Sequence, residues 1–131
     1  MLNDFPNCFF NFWLIQETIW KCVNMKYSEK WRQAYDNRNR EALSKLLDID
    51  CHFIKHSTGE KIIKEQILDM WTTKDRVKIQ SHRIVYESNE ILVQHWFLEW
   101  PNGSKDAVLS AMLMDNGKAK KIELASTPIH Q

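Results

Sequence analysis

Apolar positions in the first half of the chain recur at helical spacing, and in the second half they alternate. Trp31, Ala34 and Tyr35 share one helical face, with Ser28 placed as its N-cap. After the polar break Asp36-Asn37-Arg38-Asn39, a second stripe follows at Ala42, Leu43, Leu46 and Leu47. Asp48 to His56 reads as a strand, with Ile49, Cys51 and Phe53 alternating against Asp50, His52 and Ile54. Ser57-Thr58-Gly59 is a turn, and Lys61 to Thr72 returns to helix with Ile63, Ile67, Met70 and Trp71 on one face. Four long β-rich runs complete the chain: Val77–Glu87, Ile91–Trp100, Asp106–Met114 and Lys118–Ser126. Asn116-Gly117 between the last two is a strong hairpin signal, because a type I′ turn needs positive φ at both central residues. Helices followed by an antiparallel meander predict an α+β domain.

Side chains alternate across a strand, so loop parity carries register from one strand to the next. With Ser88-Asn89, Pro101–Ser104 and Asn116-Gly117 as even-length loops, His82, His95, Ser110 and Glu123 form a row across the four strands. Gln80, Tyr86, Phe97 and Met112 surround that row, which is expected to face the helices. The other face would carry Val85, Trp96, Leu98, Trp100, Leu109, Ala111, Leu113, Ile122 and Leu124. A one-residue bulge in either long hairpin would undo this assignment.

Composition narrows the function classes. The 131 residues suit one domain, and 18 basic against 17 acidic residues give a net charge of +1. The cluster Lys118, Lys120 and Lys121 sits at a hairpin end and reads as a solvated turn, so no nucleic-acid partner is expected. Cys8, Cys22 and Cys51 are an odd set without paired spacing, read as free thiols in a reducing, cytoplasmic setting. The apolar stretch from Cys8 to Ile15 is too short to cross a bilayer, and no membrane association is expected. Residues 1–24 are read as an N-terminal extension with two alternatives. Either Phe9, Phe10, Phe12, Trp13 and Trp20 cover an apolar patch, or translation starts at Met25. The functional domain is then 25–131.

Candidate chemistry centres on the polar row. A histidine near its ordinary pKa suits proton transfer at neutral pH, and a carboxylate in contact would raise that pKa and fix the tautomer. Asp50, His52 and His56 lie along one strand at ~7 Å or more, poor spacing for a single ion, so no metal is expected. Cys51 has no activating base nearby in sequence and reads as a buried thiol. With three glycines there is no phosphate-binding or dinucleotide fingerprint, and no cofactor is expected.

The element order, Trp31-Arg32-Gln33-Ala34-Tyr35-Asp36 followed by Glu41-Ala42-Leu43, the segment through Asp50 and Gly59, and Asp115-Asn116-Gly117-Lys118 together resemble the nuclear transport factor 2-like (SnoaL-like) superfamily. The resemblance covers roughly residues 27–128. It implies a cone-like fold with N-terminal helices packed on a curved antiparallel sheet. Tyr35-Asp36, His82 and His95 are similar to the scytalone dehydratase-like branch. That resemblance implies one carboxylate-oriented histidine, two histidines acting as base and acid, and tyrosines holding a water against a ring carbonyl. It departs from the branch at the second tyrosine, where this chain has Cys51 or His52.

Two classes of function follow. One is a cofactor-free dehydratase, isomerase or cyclase acting on a small carbonyl compound. In it Tyr35, Asp36, His82 and His95 are catalytic, and Cys51, Trp71, Tyr86, Phe97, Ser110 and Glu123 contact the substrate. The other is a non-catalytic module that holds a small apolar or cyclic ligand, or meets a partner. A homodimer through an outer sheet face bearing Trp96, Leu98 and Leu109 is compatible with either. The enzyme requires Asp36 within hydrogen-bonding reach of His82 or His95; the binder requires a pocket without that contact.

Overall fold

A computed structural model of the chain describes residues 25–73 and 78–130. The expectations for residues 1–24, including Cys8 and Cys22, and for Val77 lie outside the described residues. Helix α1 (Tyr27–Asp36) and the short α2 (Arg40–Lys45) precede strand β1 (Leu47–Lys55). Strand β2 (Lys61–Ile63), helix α3 (Lys64–Thr72) and the strands β3 (Lys78–Glu87), β4 (Ile91–Glu99), β5 (Lys105–Asp115) and β6 (Lys118–Pro128) follow. The six strands form one sheet in the order β2-β1-β6-β5-β4-β3. Only β1 and β6 run parallel among the neighbours described.

Local chemistry sets the helix ends. Ser28 lies inside α1 rather than capping it, and Lys26 is the N-cap. The Ser28 backbone N–H donates to Glu87 Oε2 at 3.0 Å and its hydroxyl to Glu87 Oε1 at 2.6 Å. A carboxylate at a helix N-terminus satisfies free N–H groups and opposes the positive end of the helix dipole. Glu87 therefore clamps the start of α1 to the β3–β4 hairpin. Glu87→Ala is expected to cost about 2 kcal/mol in chemical denaturation, since both bonds are to a charged acceptor. Glu90→Ala, in the exposed turn beside it, should stay within about 0.5 kcal/mol of wild type. Asn39 caps α2 by accepting from the Ala42 N–H at 3.0 Å.

The core fills the space between the helices and one face of the sheet. Trp31 and Ala34 from α1, Leu43 from α2 and Ile67, Leu68 and Trp71 from α3 meet Leu47, Cys51, Phe53, Leu92, Met112 and Ile122. The expected stripe on α3 is turned: Leu68 is buried, while Met70 is partly exposed and Ile63 belongs to β2. In β1, Ile49 is 83% exposed although Cys51 and Phe53 are buried. The register against β6 slips between Leu47 and His52, and the Asp48 side chain accepts from the Asp50 N–H at 2.9 Å. That local turn lifts Ile49 off the inner face.

Loop parity gives the right face for His82 in β3 and for Ser110 and Met112 in β5, and the wrong one for β4 and β6, whose faces are exchanged. The β4–β5 connection is odd: Glu99 pairs with Lys105, and Trp100 N–H donates to Ser104 O across Pro101-Asn102-Gly103. Gly103 has φ +87°, the left-handed residue a three-residue hairpin loop requires. The turn between β3 and β4 is Asn89-Glu90, closed by Ser88 N–H to Ile91 O. Beyond it, β3 carries irregularities between Gln80 and Arg83 and between Ile84 and Tyr86. Asn116 and Gly117 do have positive φ, as a type I′ turn needs, yet the β5–β6 ladder slips between Leu113 and Met114. Each one-residue slip exchanges the faces of a strand.

The inner face consequently carries Leu92, Gln94, Trp96 and Leu98 from β4, Val108, Ser110 and Met112 from β5, and Ile122 and Leu124 from β6. His95 and Phe97 lie on the outer face with Leu109 and Leu113, which are 48% and 38% exposed. Trp96 and Leu98 therefore do not belong to the outer sheet face expected to make a dimer; of the three residues named for it, only Leu109 does. The row His82–His95–Ser110–Glu123 does not form.

Candidate functional site

Apolar side chains on α1, α3 and the inner sheet face leave between them a cavity of about 520 Å³. Trp31, Tyr35, Trp71, Trp96, Leu98 and Trp100 make most of its wall, and Lys55 stands at its edge. Trp31 is the hub. Its ring stacks on Tyr35 with centroids 5.1 Å apart, meets the edge of Trp71 at 5.6 Å, and lies 5.9 Å from Trp96. Such a lining suits a flat or cyclic apolar molecule, since aromatic walls supply large contact area with little side-chain entropy to lose. A second, more polar cavity of about 430 Å³ lies at the start of α1, bordered by Lys26, Tyr27, Glu87 and Gly117.

Behind the rings of Trp31 and Trp96 lies a polar group built by β3, β4 and β5. Ser81 has φ +51°, an unusual value for a non-glycine residue within a strand, and it falls in the first irregularity of β3. Bulges of this kind re-aim side chains. Here it turns His82 to the inner side, where its ring lies 6.1 Å from both Trp31 and Trp96. His82 Nε2–H donates to Gln94 Oε1 at 2.6 Å, leaving Nδ1 as the acceptor of the ring. Gln94 is completely buried and sits directly across from Ser110, which is 1% exposed.

Burial holds His82 below the ordinary histidine pKa; its bond to Gln94 opposes that shift, the Arg32 charge adds to it, and Asp36 opposes it. The ring is thus neutral at physiological pH. An unfolded histidine titrates near ~6.5 and this one lower, so on acidification the unfolded chain takes up its proton first. The stability that neutral His82 contributes is full above about pH 6.5 and is lost as pH falls through the lowered folded value. The gap in melting temperature between wild type and His82→Gln is therefore expected to narrow from about pH 8 to about pH 5. A gap that widens on acidification would mean a histidine stabilised in its charged form.

The other expected residues divide between inside and outside. Tyr35 and Trp71 line the cavity. Ser110 is buried across from Gln94 on the inner face and does not line the cavity. Asp36 is exposed and bonded to Arg32 Nε at 3.0 Å, so the carboxylate–histidine contact is not formed. His95 pairs with Arg83 and Leu109 on the outer face, its ring edge-on to Phe97 at 5.1 Å. Tyr86 is 58% exposed. Glu123 accepts from His56 at 3.1 Å across β1 and β6, outside the cavity. Cys51 is buried in β1, where burial and then the Asp48 carboxylate push its thiol up to about 11, the reverse of activation.

Five residues of the site were not anticipated as such: Trp31, Gln94, Trp96, Leu98 and Trp100. The alternation Leu92, Gln94, Trp96, Leu98 carried the signal. An amide set among large apolar residues of one parity marks a polar group on a buried face. Among the described residues no set of three histidine, cysteine, aspartate or glutamate side chains is placed to hold a metal ion. No helix among them is long and apolar enough to cross a membrane.

No protein-family model and no curated protein sequence matches the chain. Solved structures do. An NTF2-like protein of unknown function from Burkholderia xenovorans aligns over 80% of this chain and 83% of its own, at 17% identity and TM-score 0.65. A proposed ketosteroid isomerase from Kribbella flavida aligns over 80% and 78%, at 12% identity and TM-score 0.66. A hypothetical protein of ketosteroid isomerase-like fold from Catenulispora acidiphila, in complex with trimethylamine, aligns over 76% and 83%, at 14% identity and TM-score 0.56. The chain has the α+β NTF2-like fold, with N-terminal helices on a six-stranded sheet.

Proposed function

We propose that this NTF2-like domain binds a small, ring-bearing apolar molecule in its aromatic cavity and carries out cofactor-free proton transfer on it. The observation that carries the reading is His82: a neutral imidazole, held by Gln94 at 2.6 Å, behind two of the tryptophans that line the cavity. A neutral histidine with a fixed tautomer can take a proton at Nδ1 from a carbon beside a carbonyl and return it elsewhere, as isomerisation or dehydration requires. In the proposal Tyr35 and Ser110 supply the hydroxyl groups that contact substrate or water. The likeness to a proposed ketosteroid isomerase is consistent with such chemistry but rests on fold.

The cone-like wrapping of the sheet, the placement of the working domain in residues 25–131 and a cytoplasmic setting belong to the same proposal. So does a homodimer, now through the outer face that exposes Leu109 and Leu113. Of the scytalone dehydratase-like arrangement, His82 lies on the inner side as the resemblance implies, His95 does not, and the orienting carboxylate contact is missing among the described residues. One observation favours binding without turnover: Asp36 is engaged by Arg32, and no carboxylate contacts His82 among the described residues.

A thermal-shift screen of cyclic ketones, enones and aromatic carbonyl compounds against the full chain tests the pocket. A ligand at a hundred times its dissociation constant adds roughly 2.7 kcal/mol of stability. Hits are expected in wild type and His95→Ala, and weakened in Trp96→Ala. The reading fails if no compound stabilises the wild type, or if hits are indifferent to Trp96.

A further inference from the structure

Five buried nitrogen and oxygen atoms on the helix side of the sheet have no protein partner among the described residues: Trp31 Nε1, Arg32 Nη1, Gln94 Nε2, Trp96 Nε1 and Ser110 Oγ. Four of them can only donate, and the serine hydroxyl can do either. No dedicated acceptor in the same condition accompanies them. The one remaining atom of this kind, His95 Nδ1, lies on the opposite face. Native proteins leave only a few such groups per hundred residues, because each costs ~1–3 kcal/mol. Five donors in one region of the fold would each gain from an added acceptor.

The residues that carry these donors are neighbours in the fold. Trp31 and Trp96 lie 5.9 Å apart, and each is 6.1 Å from His82, which holds Gln94. Gln94 and Ser110 face each other across β4 and β5. Arg32 supplies positive charge: its Nε is bonded to the exposed Asp36, and its Nη1 is the buried end. We propose that this donor cluster receives the carboxylate of an organic acid whose ring fills the aromatic cavity. The inference rests on the pocket reading above and names the class of its ligand. A carboxylate offers about four lone-pair sites on two oxygens, enough to accept from several donors at once. A neutral carbonyl offers half as many, and an ammonium group would find one ring acceptor, His82 Nδ1, among several donors. Arg32, Gln94 and Ser110 do not line the cavity itself but lie behind its Trp31 and Trp96 wall, which the carboxylate has to pass.

The test uses the full chain with 15N-labelled tryptophan and three probes of one size: benzoate, benzyl alcohol and benzylamine. Single Trp→Phe variants assign the indole signals. Benzoate is expected to bind about tenfold or more tighter than benzyl alcohol, as charge-assisted bonds require, with benzylamine weakest. It should move the indole N–H resonances of Trp31 and Trp96 downfield. Trp96→Phe keeps an aromatic wall and removes one donor; it should weaken benzoate about tenfold more than it weakens benzyl alcohol. Equal affinity for benzoate and benzyl alcohol, or binding of benzoate that leaves both indoles unmoved, overturns the carboxylate site while the apolar pocket stands. Binding of none of the three overturns both.

Discussion

Trp31→Ala is expected to lower stability by about 3–5 kcal/mol and melting temperature by roughly 10–25 °C. The residue is 1% exposed and is the common neighbour of Tyr35, Trp71, His82 and Trp96. Truncation forfeits the transfer free energy of an indole and leaves a void that joins the existing cavity. The surrounding rings come from two helices and two strands, so they cannot all close on that void. Trp31→Phe keeps a ring against Tyr35 and Trp71 and should lose far less. Chemical denaturation of the two variants separates the terms. A Trp31→Ala protein within about 1 kcal/mol of wild type would mean that the indole is not the keystone of this core.

That hub also shows how much was legible beforehand. The helical face Trp31, Ala34, Tyr35 could be read from spacing because helix periodicity is local and tolerates an uncertain boundary. The Asn116-Gly117 turn was equally legible, since few residues accept positive φ. Face assignment in the meander was not. It depends on counting residues across three hairpins, and each count is broken by a feature that hydropathy does not mark. Gly103 takes a left-handed conformation that makes an even loop odd, Ser81 bulges with φ +51°, and the β5–β6 ladder slips after Leu113. One slip suffices to exchange His95 and Trp96 between outside and inside. A chemical argument would have corrected the count: the apolar stripes of α1 and α3 need an apolar partner surface, and the Leu92–Trp96–Leu98 face is the one that offers it. Asp36 shows a second limit. A Tyr-Asp pair in sequence does not disclose that Arg32, one helical turn earlier, takes the carboxylate at 3.0 Å.

The exchange of faces makes the two histidines unequal, and that inequality has the largest expected consequence for activity. His82→Gln should lower turnover of a responsive cyclic carbonyl substrate by about 10²–10⁴-fold, the usual contribution of a positioned general base. Glutamine can keep a hydrogen bond to Gln94 but cannot accept and release a proton near neutral pH. Binding should survive, because the cavity wall is made by other residues; calorimetry should give a dissociation constant within about threefold of wild type. The pH profile gives an independent sign. A base whose pKa is held low remains competent to mildly acidic pH, so the wild-type rate should fall on acidification only below the ordinary histidine range. His95→Gln is the matched control: its ring lies against Phe97 on the outer face, and its rate should stay within about twofold of wild type. A large loss in His95→Gln with none in His82→Gln would return the chemistry to the other side of the sheet. Ligand binding with no measurable turnover in wild type would leave the cavity as a binding site and remove His82 from any catalytic role.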